Sequence, residues 1–174
     1  MLKRIICAMF MSLFATFSNA QNPSFDITKL DPNIVAAAHC NGAMFANSMS
    51  NFETGVLDEH RARVMTRTIG LSFFLTAIKY QPASHIQEYS DQYEQMFSIA
   101  YDEIYEKLSN ETFDWDEQLE IDKCAARIFE PLTDIPIDKL RENGVDDYFS
   151  FVQKMNKMSD ERFDYILKLM DAMK

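Results

Sequence analysis

Residues that break helices are scarce in this chain, and their spacing sets the length of everything between them. The sequence has 4 Gly and 5 Pro among 174 residues, against 11 Met and 14 Phe. Few turn formers and many long side chains favour long helices over a sheet. Asp31-Pro32 starts the first helix. Asp caps free backbone N–H groups, and Pro at the first helical position lacks the N–H that would be left without a partner there. Ile34, Ala37, Ala38, Phe45, Met49 and Phe52 then recur at helical spacing, and three consecutive alanines admit a close neighbour. Gly55 breaks this segment.

The second helix is expected from Val56 to about Tyr80, with Leu57, Val64, Thr68, Leu71, Leu75 and Ile78 as its inner stripe. The run Ile69 to Ile78, IGLSFFLTAI, is apolar nearly all round. It is far shorter than the roughly 20 residues a membrane span needs. It therefore predicts a helix surrounded by others, with Leu71, Phe74, Leu75 and Ile78 deeply buried. Gln81-Pro82 ends it. The third helix, about Ser84 to Leu108, turns Ile86, Tyr89, Tyr93, Met96, Phe97, Ala100, Ile104 and Leu108 inward and Glu88, Asp91, Glu94, Asp102, Glu103 and Glu106 mostly outward.

The fourth helix starts near Asp114, where Asp116 and Glu117 suit the positive end of the helix dipole. Ile121, Cys124, Ala125, Ile128 and Phe129 form its apolar face, and Pro131 stops it. Thr133 to Pro136 reads as a loop. A short helix from Ile137 to Asn143 ends at Gly144. Two more follow, about Asp146 to Lys157 and Asp160 to Met173, the second capped by Ser159. No segment reads as a strand. The expected fold is all-α: a bundle of four main helices plus short C-terminal helices, with one disulfide.

The start of the chain predicts export. Lys3 and Arg4 precede an apolar stretch from Ile5 to Phe17, and Ser18-Asn19-Ala20 supplies small residues before a cut. This is the pattern of a cleavable secretory signal at residues 1–20. An extended leader is expected over 21–30 and one helical domain over 31–174. The mature protein is then periplasmic or secreted, with no stable membrane anchor. The signal removes two basic residues and no acid, so 15 basic and 27 acidic residues remain, a net charge of −12. Such acidity disfavours nucleic acid and anionic lipid. It suits a basic protein partner, or simply solubility.

Cys7 leaves with the signal, and Cys40 and Cys124 remain for an oxidising compartment. Their bond closes a loop across 84 residues of sequence. In the loop-entropy picture it contributes up to about 4–5 kcal/mol.

The chemistry sought is mostly missing. His39-Cys40 has the wrong order for haem attachment. No Glu stands three residues before His39, His60 or His85, as a di-iron bundle requires. Zinc-protease, phosphate-loop and nucleophile-elbow patterns are lacking. Neither cofactor nor metal is expected, and the chain is not read as an enzyme. Met155/Met158 and Met170/Met173 have one-turn spacing that can hold Cu(I), but methionine also fills irregular cores. Asn110-Glu111-Thr112 matches a glycosylation sequon.

Two surface constellations stand out. His60, Arg63 and Arg67 share one helix face and form a candidate anion grip. The alternative for this set is internal pairing, with Glu59 one turn back and the acidic third helix alongside. Phe113 and Trp115, beside Glu103 and Glu106, form a candidate partner-binding edge. The functional expectation is an exported, non-enzymatic protein-binding or inhibitor-type protein. The alternative is a small-ligand carrier with an apolar pocket and an Arg at its mouth.

Overall fold

A computed structural model describes residues 31–80, 86–134 and 137–172, with side chains throughout except in 86–92. The expected signal and leader at 1–30, the expected Gln81-Pro82 stop and Met173 lie outside the described residues. The helices are α1 (Pro32–Glu53), α2 (Glu59–Tyr80), α3 (Ile86–Ser109), α4 (Trp115–Thr133), α5 (Ile137–Glu142) and α6 (Tyr148–Ala172). There is no strand among the described residues. The protein is an all-α bundle with one disulfide.

α1 starts as its sequence dictates. The Asp31 carboxylate accepts from the Asn33 N–H at 2.8 Å, with Pro32 in the first turn. From Cys40 to Ala46 every residue is buried, so this helix is enclosed on all sides. Size explains this better than hydropathy: Gly42, Ala43, Ala46 and Ser48 let neighbours approach from several directions. A Cβ added at Gly42 would lie 2.3 Å from the Phe97 carbonyl oxygen and 3.0 Å from Ala100 Cβ, so α3 lies directly against the α1 backbone. Around that contact Phe45 meets Phe97 and Tyr101 at 5.9 and 5.7 Å between ring centroids. The Asn41 amide donates to the Tyr93 hydroxyl, and Tyr105 donates to Glu53. These pairs advance together along both helices, so α1 and α3 run parallel. Burial pushes the Tyr93 phenol well up from its ordinary value, against a smaller opposing pull from Asn41.

α2 begins at Glu59, not Val56, because the Asp58 carboxylate accepts from the Arg61 N–H at 2.8 Å and fixes the first turn there. Its inner face is also rotated from the expected stripe. Val64 is exposed, whereas Ala62, Thr66, Ile69, Ser72, Phe73 and Thr76 are buried. Thr66 can be inside because its hydroxyl donates to the Ala62 carbonyl at 2.9 Å. Leu75 and Ile78 are buried as expected, but Leu71 and Phe74 are only half-buried. Leu71 packs on a second apolar cluster built from Leu75, Ile78 and Leu140, with Phe151 also against it, whereas Phe74 packs on the main core and meets Phe151 edge to face.

The C-terminal part departs most from expectation. Residues 148–172 form one helix, the longest described, with no break at Ser159. Ser159 is buried where α6 crosses α2: a Cβ at Gly70 would lie 2.7 Å from its hydroxyl oxygen. Two small residues permit this crossing, so Ser159 is a packing residue and not a cap. Pro131 likewise does not stop α4, which continues to Thr133. Proline forfeits one hydrogen bond, and so close to the helix end that loss is tolerated.

Two substitutions test this packing. Glycine to alanine inside a helix ordinarily gains about 1 kcal/mol. At Gly42 the sign should reverse, with a loss of about 1–3 kcal/mol in urea unfolding, because α3 must move away. Leu75→Ala should cost about 2–5 kcal/mol by the same measurement, and Leu71→Ala clearly less.

Candidate functional site

α4 is attached to the bundle by a narrow face. Its buried residues are Ile121, Cys124, Ile128 and Pro131. Cys40 and Cys124 form the expected disulfide, with Cα atoms 4.9 Å apart. A reciprocal capping box fixes the start of the helix: Glu117 N–H donates to Asp114 at 3.0 Å, and Asp114 N–H donates to Glu117 at 2.8 Å. Lys107, at the end of α3, binds Glu103 at 3.1 Å and Glu117 at 2.6 Å and so clamps the two helices at their junction. At the other end Lys79 of α2 reaches Glu130 at 3.0 Å and Asp134 at 3.4 Å.

The outer face of α4 is unusually apolar. Trp115 is 78% exposed, Leu119 45% and Phe129 49%, and Ala126 is exposed between them. At 3.6 residues per turn these positions form one stripe, with Asp122 inside it. Phe129 was expected on the buried face, but it lies about 100° round the helix from Ile128 and looks outward. Trp115 and Phe113 also separate. Phe113 is half-buried and packs against the core, stapling the helix start, whereas Trp115 projects. Glu103 and Glu106 are exposed near the junction.

On its α1 side the same helix borders a groove of about 830 Å³. Val35, Ala36 and Ala43 of α1, Met96 and Ile104 of α3, and Ile121 of α4 line it, with the disulfide in its wall. His39, Glu117, Glu120, Lys123 and Arg127 supply its polar rim. The sequence reading missed this groove. Ala36 and Ala43, seven residues apart on one face of α1, are the signal that small side chains leave a trench there. His39 has a ring nitrogen within 4.8 Å of both disulfide sulfurs, which are already bonded to each other.

The candidate anion grip is engaged in internal pairing. Arg63 donates to Glu59 at 2.7 and 2.9 Å, pairs with Asp164 and lies over the Phe163 ring. Arg67 holds both oxygens of Asp160 at 2.7 Å. Burial pulls the Arg63 pKa down, but hydrogen bonds to Glu59 and Asp164 outweigh it and raise the net value. His60 is exposed beside them. The set is an ion-pair seam between α2 and α6, and its outside partner is the last helix rather than the third. Among the methionines, Met155 is buried and Met170 packs against the core, as gap-filling side chains do.

The junction clamp has a pH signature. The Lys107 ammonium, and then the Asp114 N–H, hold the Glu117 carboxyl below the usual carboxylate range. A group with a depressed folded pKa stabilises above its unfolded pKa, and that stabilisation is lost as pH falls through the folded value. Glu117→Gln should therefore lower the melting temperature slightly near neutral pH, and the gap from wild type should close on acidification below the carboxylate range. Thermal melts at both pH values check this.

Compared with protein-family models, curated proteins and solved structures, the chain matches none of them.

Proposed function

We propose that this chain is an exported, non-enzymatic binding protein that docks a basic protein partner on the outer face of α4. One observation carries the reading: Trp115, Leu119 and Phe129 stay in water on a helix whose opposite face is buried. Large apolar side chains exposed along one helix face, here with Asp122 among them, are a mark of an interaction surface, and tryptophan is enriched among the residues that dominate binding energy. Asp116, Asp122 and Glu130 stand on or beside the stripe, and Glu103 and Glu106 are exposed near its start. On a mature chain of charge −12 they favour a partner with a basic surface, mainly by speeding encounter. The expected export signal and the disulfide support a meeting place outside the cytoplasm.

Affinity capture from periplasmic or secreted extract, followed by binding kinetics on the captured protein, tests the proposal. Trp115→Ala should weaken binding by about 2 kcal/mol or more. Reversing Glu103 and Glu106 to Lys should slow association and flatten its salt dependence. A partner that binds with no dependence on salt or on Trp115 would contradict this mechanism.

A further inference from the structure

The groove beside α4 points to a second kind of ligand, on grounds independent of the protein-partner reading. Its walls are α1 and α4, its floor is Met96 and Ile104 of α3, and its volume of about 830 Å³ suits a small molecule. Pro32 to Ala43 line one wall and Glu117 to Arg127 the other, so at 1.5 Å per residue the trench is about 15 Å long. The disulfide ties the walls together partway along. A cleft held in this way needs little ordering before a ligand enters, which reduces the cost of binding.

Charge gives the groove a direction. α3 runs parallel to α1 and turns back into α4, so α1 and α4 are antiparallel. Arg127, one turn beyond Cys124, therefore lies toward the Pro32 end, and Glu117 and Glu120 lie toward the Ile104 end. The two acids are engaged, Glu117 with Lys107 and Glu120 with Lys123, each at 2.6 Å. Arg127 is exposed and has no ion-pair partner among the described residues. A free guanidinium at one end of an apolar trench, with neutralised acids at the other, fits a negative head and an apolar tail.

We propose that this groove binds a single-chain amphiphile with a carboxylate head, the carboxylate paired with Arg127 and the tail lying over Ala36, Ala43, Met96, Ile104 and Ile121. A guanidinium takes a carboxylate in two parallel hydrogen bonds. One guanidinium balances one negative charge, and a doubly charged phosphate monoester would leave charge uncompensated on an already acidic protein.

Calorimetric titration of the disulfide-bonded protein with dodecanoate, dodecyl phosphate and dodecyltrimethylammonium, each below its micelle concentration, tests this. Dodecanoate should bind at one site per chain, and the other two at least tenfold more weakly. Arg127→Ala, at an exposed position, should weaken dodecanoate at least tenfold without changing the circular dichroism spectrum. Ala43→Phe should fill the trench and abolish binding, and Ala36→Leu provides a second filling variant should that protein fail to fold. Equal binding of the anionic and cationic amphiphiles, tighter binding of dodecyl phosphate, or indifference to Arg127→Ala would each overturn the proposal. So would no binding of dodecanoate, the result expected if the chain's own residues before Pro32 occupy the groove.

Discussion

The bond between Cys40 and Cys124 holds a helix that burial alone grips weakly. α4 sinks only Ile121, Cys124, Ile128 and Pro131 from its 19 residues. α1, by contrast, is enclosed from Cys40 to Ala46. The disulfide joins the least embedded of the four bundle helices to the most embedded one, two residues from Gly42, where the α1 backbone lies against the Phe97 carbonyl and Ala100 of α3. Closing so long a loop removes unfolded-state entropy worth up to about 4–5 kcal/mol. The ends of α4 add polar restraints, Lys107 to Glu117 at the start and Lys79 to Glu130 at the finish.

This mode of attachment leaves α4 with two usable surfaces. A helix held mainly by its own hydrophobic face needs a wide apolar stripe turned inward. Held instead by a covalent bond and two polar clamps, α4 can keep Trp115, Leu119 and Phe129 in water. It can also stand far enough from α1 along one flank to leave a trench. The proposed partner surface and the proposed ligand groove both follow from this one arrangement. The pairing of Arg63 and Arg67 with α6 engages both guanidinium groups within the bundle.

Much of the local structure was legible because it is locally determined. Asp31-Pro32 and Asp114 start helices through short-range capping, and each does so in the structure. The cysteine pairing followed from compartment and number. What escaped depends on the surroundings of each residue. Ser159 reads as a cap by type, yet it is the small residue that α6 needs against Gly70. Thr66, Ser72 and Thr76 stand outside the expected stripe, yet they face the core where α2 meets its neighbours. Phe129 reads as core because it adjoins Ile128, but the helical angle turns it outward. Internal pairing of Arg63 with Glu59 was legible one turn away, but the pairing with α6 was not, because Asp160 and Asp164 lie about a hundred residues away. The groove had the faintest signal, since a trench is set by the spacing of helices and by small side chains such as Ala36 and Ala43.

Dependence of α4 on the disulfide is open to direct measurement by hydrogen–deuterium exchange of the folded protein, oxidised and after reduction of Cys40–Cys124. Residues 115–133 should lose most of their protection on reduction, while 37–49 of α1 and 93–105 of α3 stay slow, because the Gly42 contact does not need the bond. Protection in α4 that is unchanged by reduction, or lost equally in α1 and α3, would contradict the assignment of the disulfide as the restraint that presents this helix.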